Sequence, residues 1–462
     1  VSTTAFVYLN DSNYQLKGSF IKLTDGENEA EKQLLFKDSL NTGSNIYLAD
    51  TNSFQRLPGF PVAYWATKKQ AEIYAENGLI SEVAAFRAGL STGDNHKFQR
   101  MWYEVSQDRS IYNASSSGGM GSYKWVPCNS GGEYRRWYGN NDVVVNWADE
   151  GRDIKAFKGS AVRNESDYFK TGLTYNKISS GKFACRKKEK GFVFDDTGRS
   201  ISASIQDLEL IQGYLLSSVA DSYLNILAPT LSFTSNELSN LPFIKNISFD
   251  ENVVSELVRI SKNDWDSSEL SWDFSSSVLL QEGCIIGRVS EAVSRHIAGS
   301  LSCVDSMVAL EEKNNCSFVR AFGLERELTS KVSKHEITLL NNPYFRYGEE
   351  KPDNVLKALQ IGDVIREFVS FSVGCMFGRY SLDKDGLILA NQGDSLEEYL
   401  QKVSQPSFTP DDDNVIPLID FDGDWFEDDI SERFKQFLKV TFGEEHFAEN
   451  LAFIEESIGK DI

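Results

Sequence analysis

Cysteine, histidine and proline are scarce in this 462-residue sequence, with six, four and ten copies. The cysteines (Cys128, Cys185, Cys284, Cys303, Cys316 and Cys375) are scattered, and no C-x-x-C pair occurs. That spacing excludes a disulfide framework and a structural zinc site and points to reduced thiols. The low proline content argues against long disordered tails. No apolar run approaches the roughly 18 residues of a membrane span, and no charged-then-apolar leader is present. The expected compartment is the cytoplasm, with no membrane partner. Neither G-x-G-x-x-G nor G-x-x-x-x-G-K-[ST] appears, so a nucleotide-binding fingerprint is missing. No set of Ser, His and Asp, or of Cys and His, suggests a nucleophilic centre, and His96 beside Lys97 needs no catalytic duty.

Positive charge is also in short supply, except in one stretch. The net charge is −21, yet residues 87–200 hold nineteen Lys and Arg against thirteen Asp and Glu, so everything outside that island sums to −27. The island interleaves cations with flat rings: Lys124-Trp125, Arg135-Arg136-Trp137-Tyr138, Tyr168-Phe169-Lys170, and Phe183 followed by Arg186-Lys187-Lys188. Cations suit phosphates and rings suit bases, which is the make-up of a nucleic-acid surface. A solvated charged face is the commoner origin of a charge run; the repeated adjacency of cation and ring favours nucleic acid here.

At this length one core is too few, since single cores stop growing near about 250–300 residues, and 41% apolar and 12% aromatic residues fit two or three folded domains. The residue pattern predicts strands over Ser2 to Asn10 and Tyr14 to Leu23, and helices over residues 27–40 and 68–77. Arg56 to Pro61 is a turn-rich boundary. Gly89-Leu90-Ser91-Thr92-Gly93-Asp94-Asn95 opens the island as a loop whose glycines let backbone N–H groups approach an anion, and Ser115 to Gly121 is a second loop. Short apolar segments between Gly, Asn and Asp clusters make Tyr123 to Phe194 a β-rich module. A helical period then places Leu208, Ile211, Leu215, Val219 and Leu224 in the core. Helices are expected over 253–260, 285–310 and 355–371, with a polar aromatic turn region from Asp264 to Phe274. The chain opens on Val1 in a strand pattern and stops at Ile462 after a helical one, so a piece of a longer polypeptide is expected.

Two motifs fall short of chemistry. Asp420-Phe421-Asp422-Gly423-Asp424 has Trp425 where a calcium loop needs glycine, so the acidic run Asp411 to Asp429 reads as a solvated loop, and no metal is expected. A loop that methylates an extruded adenine needs [DNS]-P-P-[YFW]. Asn341-Asn342-Pro343-Tyr344 carries Asn for the first proline and reads as a structural turn.

The run from Gly89 to Val105, GLSTGDNHKFQRMWYEV, resembles the opening of the target-recognition domain of the PglX family, the adenine-specific DNA methyltransferases of BREX phage-defence systems, and of related type IIG restriction-modification enzymes. Lys124-Trp125 through Gly131-Gly132, Tyr134 to Asn140, Tyr168-Phe169 with Gly172 to Tyr175, Phe183 to Arg186 and Gly191 to Asp195 are similar in the same order. Asp264 to Glu269, Asn342 to Tyr347 and Val373 to Asp383 resemble PglX more narrowly. The resemblance implies a full-length enzyme that moves a methyl group from S-adenosylmethionine to adenine N6, marking host DNA as self, with double-stranded DNA, other BREX components and phage DNA-mimic inhibitors as partners. Its cofactor strand and N-P-P-Y loop would lie upstream of Val1. The piece would then hold no catalytic or cofactor-binding residues and be inactive alone.

The resulting expectation is an α+β multidomain chain: residues 1–85 the end of an α/β methyltransferase domain and hinge, 86–245 a β-rich target-recognition domain, and 246–462 a mainly helical region. Lys97, Lys155, Lys182, Lys187 and Lys188 would hold phosphates. Arg135, Arg136, Arg163 and Arg186 would read base edges. Thr92, Asn95, Arg100, Lys124, Trp137 and Tyr175 complete the expected DNA-binding set. The alternatives are the reader of a type IIG enzyme, a non-enzymatic module bound by an acidic DNA-mimic protein, and a plain α/β protein with uneven charge.

Overall fold

The computed structural model describes residues 5–7, 17–26, 28–50, 54, 55, 57–59, 61–179, 181–228, 231–281, 287–348, 350–418, 426 and 428–460. The expected strand Ser2 to Asn10 and the acidic Asp420 to Trp425 lie almost wholly or wholly outside these residues, as does Cys284.

Near the start, the strands Gly18–Ile21 and Ile46–Ala49 pair antiparallel around the helix Glu29–Thr42. Asn28 caps that helix by accepting the Glu31 N–H, and Gly43 ends it with a left-handed φ of 76°. These caps move the helix two residues beyond the span read from apolar periodicity. The helix Lys68–Glu76 begins at a reciprocal cap between Thr67 and Gln70.

The basic island folds into two four-stranded sheets. The first runs in the order Val193–Phe194, Trp125–Asn129, Val143–Asn146, Gln99–Met101, with the first pair parallel and the others antiparallel. Its core is Leu90, Phe98, Val126, Val145, Trp147, Tyr168 and Phe194, among others. The second sheet is antiparallel throughout: Ala84–Arg87, Gly198–Ala203, Gly172–Asn176, Cys185–Lys188. The chain passes between the sheets at Gly89 and Leu90, where Leu90 N donates to Phe194 O at 3.0 Å. A Cβ at Gly89 would stand 1.9 Å from that carbonyl oxygen, so only glycine allows this crossing.

Helices close the second sheet. All five residues of the predicted stripe are buried, on two helices, Leu208–Leu215 and Ser218–Leu227, because the Ser217 side chain caps the second and interrupts the first. The helix Glu251–Asp266 extends through residues read as a turn. Asn, Asp and Trp are weak helix formers, but Trp265 is buried and Asp264 is ion-paired, so tertiary contacts decide its end. The helices Val289–Ala321 and Asp353–Met376 likewise outrun their periodic cores. One hydrophobic cluster runs from Leu57 to Leu339, through the second sheet and four of these helices. Another, built on Asp353–Met376, Ile430–Phe442 and Phe447–Ile458, forms the C-terminal core. The architecture is α+β. Among the described residues no helix is long and apolar enough to cross a membrane.

Candidate nucleic-acid interface

The cations of the island divide into an interior set and a surface set. Arg135 is 4% exposed and its guanidinium meets the Asp264 carboxylate at 2.8 Å. Arg136 meets Glu311 at 2.7 Å and donates to Leu216 O. Burial opposes the Arg136 charge, but Glu311 together with Tyr134, Glu336 and Asp221 outweighs it and holds its pKa above the ordinary value. Arg186, 1% exposed, donates to Asn176 Oδ1 and to the carbonyls of Arg135 and Gly131, and burial pulls its pKa down to about 10. Lys188, also 1% exposed, sits 4.7 Å from the Phe194 ring centroid, and burial lowers its pKa to about 7. Tyr175 and Trp137 have no exposed surface. The expected base-edge reading by Arg135, Arg136 and Arg186 has no route in this arrangement, because a guanidinium enclosed by protein acceptors offers no donor to a groove.

What these side chains do is hold a hairpin. Trp137 has a left-handed backbone with φ 69°, a conformation that costs a bulky residue about 1–3 kcal/mol. Its N–H donates to Cys185 O, its carbonyl accepts from Lys187 N and Gln212 Nε2, and its indole N–H donates to Glu311 at 2.6 Å. Those bonds fasten residues 131–141 along the outer strand of the second sheet and cover an edge otherwise open to pairing.

Most of the surface set gathers around the first sheet. Asp94 caps the short helix Asn95–Phe98, and the buried Thr92 hydroxyl bonds Asn95 Oδ1 at 2.5 Å, so Thr92 shapes the loop while Asn95, His96 and Lys97 stand exposed. Ser91 pairs with Ala161, which brings residues 157–163 against this loop. Lys97 lies 4.7 Å from the Phe157 ring centroid, with exposed Lys158 and Arg163 on the same segment. Lys155 pairs with Glu165 at 2.7 Å and lies 5.6 Å from the Trp147 ring centroid. Trp147 N donates to Lys124 O, and Lys124 lies over Trp125. Arg100 is half-buried on the outer strand of this sheet, donating to the His96 and Gln99 carbonyls. Lys187 is half-buried, and Lys182 pairs with Glu336. Among the described residues, Lys97, Arg100, Lys124, Lys158, Arg163 and Lys187 form no ion pair, which leaves their charges available to an anion. Lys158 escaped the reading of the sequence. Its signal was the flanking Phe157 and Gly159, but only the Ser91–Ala161 bridge places it by the loop.

Asn342 of the near-catalytic motif is buried, caps the helix Pro343–Tyr347 and donates to the carbonyls of Lys334 and Ile337. Asn341 N and Nδ2 donate to Asp264. Both asparagines are used by the fold. Among the described residues, one group of His, Cys, Asp or Glu side chains is close enough to share a metal ion, the mostly exposed Asp411, Asp412 and Asp413.

No family model matches the chain. Relatives match it along nearly its whole length. The adenine-specific methyltransferase BrxX of Escherichia coli O9:H4 (strain HS) is 33% identical over 464 residues, 99% of this chain. The adenine-specific methyltransferase PglX of Lacticaseibacillus casei (strain Zhang) is 32% identical over 477 residues, 100% of this chain. The chain is similar to these proteins. It spans 37% of BrxX and 38% of PglX. The motifs that resemble PglX therefore sit within a similarity that also takes in the helical C-terminal region.

Proposed function

We propose that this chain is the DNA-reading part of an S-adenosylmethionine-dependent N6-adenine methyltransferase of a BREX phage-defence system, which marks host DNA as self. The observation that supports it best is the meeting of Asn95, Lys97, Lys158 and Arg163, from separate segments, around one glycine-containing loop. Lys97, Lys155, Lys158 and Arg163 hold phosphates there and set register, while Lys124 and Arg100 on the same sheet extend the basic surface. Arg163 and Asn95, both exposed, are the side chains we assign to base edges, with Arg100 beside them. The interior arginines keep the supporting hairpin in shape. In this reading the chain supplies recognition, while adenine extrusion, cofactor binding and methyl transfer fall to other parts of a longer enzyme. The same basic surface is what an acidic DNA-mimic inhibitor would occupy, in competition with DNA.

The test is binding to duplex DNA, followed by fluorescence anisotropy over a salt series. Lys97→Ala with Arg163→Ala should weaken binding and reduce the slope of log affinity against log salt by about 2, roughly one per phosphate contact. An unchanged slope would remove this surface from the reader.

A further inference from the structure

One end of the first sheet sets a single free carboxylate between two groups of cations. The strand Val143–Asn146 lies between Trp125–Asn129 and Gln99–Met101, and the register aligns both Val126 and Gln99 with Val145. Lys124 and Lys97 each precede those residues by two positions, so they stand at the same end of the sheet, where the middle strand leaves it. Neighbouring strands are about 4.8 Å apart, which separates the two flanking strands by about 10 Å. Each side holds a second cation. Lys97 rests 4.7 Å from the Phe157 ring centroid, and Lys158 follows that ring in sequence. Lys124 N donates to Arg109 O at 2.9 Å, and Ser110 bridges Trp125. Lys97, Lys158 and Arg109 are exposed and Lys124 is half-buried, and none of the four is in an ion pair among the described residues.

Between these cations the middle strand ends in a left-handed turn. Asp149, Glu150 and Gly151 have φ of 49°, 59° and 74°, a backbone that residues other than glycine rarely take. The turn is fixed from beneath. Trp147 N donates to Lys124 O at 2.9 Å, Gly151 N donates to Trp147 O at 3.2 Å, and a Cβ at Gly151 would stand 2.8 Å from the buried Trp147 ring. Asp149 and Asp153 are drawn to Arg152, at 2.7 and 3.8 Å. Glu150 is exposed, and among the described residues its side chain has no hydrogen bond or ion pair.

A carboxylate can only accept hydrogen bonds. On the floor of the major groove the donors are the amines of cytosine N4 and adenine N6, whereas guanine and thymine present acceptors there. That groove is about 12 Å wide and the minor groove about 6 Å, so cations carried on strands about 10 Å apart match the backbones that border the wider one.

We propose that this end of the sheet sits over the major groove, with Lys97 and Lys158 on one backbone, Arg109 and Lys124 on the other, and Glu150 between them accepting from the amine of a cytosine or an adenine. Glu150 sets specificity at one base pair by requiring the amine-bearing base on the strand it faces. The inference rests on the DNA-reading function proposed above.

Selection of bound duplexes from a randomised library by the intact chain, followed by sequencing, tests it. One position of the enriched site should carry cytosine or adenine on one strand. Glu150→Gly keeps the turn, since glycine takes a left-handed backbone freely, and should reduce the preference at that position by about tenfold while leaving the other positions unchanged. Glu150→Lys puts donors where the acceptor stood and should move the preference to guanine or thymine. Asp149→Asn, at a side chain held by Arg152, should leave the enriched site as it is. An unaltered site in both Glu150 variants, or the same loss of preference in Asp149→Asn, would overturn this inference while the wild-type chain's selection of a site upheld the function on which it rests. A wild-type chain that retains no duplex would overturn both.

Discussion

Lys188 is the residue whose charge the fold pays most to enclose. Its pKa falls from 10.5 to about 7 through burial. Below pH 7 both folded and unfolded chains carry the proton, and the folded one bears the whole desolvation cost, up to about 5 kcal/mol at 1.36 kcal/mol per pH unit. Between pH 7 and 10.5 only the unfolded chain binds it, so stability rises with pH, and above 10.5 the cost is gone. Lys188→Met should therefore raise the melting temperature most at pH 6 to 7, with the gain shrinking toward pH 10.5; a gain that does not vary with pH would mean packing, not charge. Arg136 and Glu311 behave as a pair. Glu311→Ala leaves the buried Arg136 charge without its carboxylate and the Trp137 indole N–H unpartnered, and should cost about 3–5 kcal/mol in urea unfolding. Arg136→Met combined with Glu311→Leu should recover much of that loss, because no uncompensated charge remains.

At the level of elements, the first of the island's crossings between its two sheets leaves no room for a side chain. Gly89→Ala would drive its methyl into the Phe194 carbonyl, which is fixed by the bridge to Leu90. The expected loss is about 1–3 kcal/mol or more, since backbone rather than a flexible side chain must move. Circular dichroism melts of this variant check it, and a neutral result would show that the sheets can shift apart. The loop Ser91 to Phe98 hangs from this crossing and carries Lys97. DNA binding should therefore fall in Gly89→Ala even though no cation has been changed.

Across the whole molecule, the hydrophobic cluster from Leu57 to Leu339 passes both edges of the expected target-recognition domain, residues 86 and 245. The hairpin at Arg135 to Trp137 is anchored on Asp264 and Glu311, beyond the second edge. Residues 86–245 expressed alone should show no cooperative unfolding, whereas the intact chain should unfold with a single steep transition through this cluster. A cooperative melt of the isolated segment would restore it as an independent unit. The proposed recognition surface is thus carried on a frame to which the acidic helical part contributes.

Much of this was legible in the residues themselves. Period-3.6 apolar spacing located the core stripe from Leu208 to Leu224, caps at Asn28 and Thr67 accompanied expected helices, and glycine clusters marked the loops of a β-rich segment, because each of these is a local preference of the backbone. The surplus of positive charge in residues 87–200 was equally plain. What composition could not tell was which cations face water. Arg135, Arg136, Arg186 and Lys188 look the same in sequence as Lys97, Lys158 and Arg163, since a charge reports its solvent only through neighbours distant in the chain. Folding supplied those neighbours: Asp264, Glu311 and the Phe194 ring took the first group inside, and the pairing of Ser91 with Ala161 assembled the second on the surface. Local chemistry determined the elements, and long-range contacts determined which charges remain free to meet an anion.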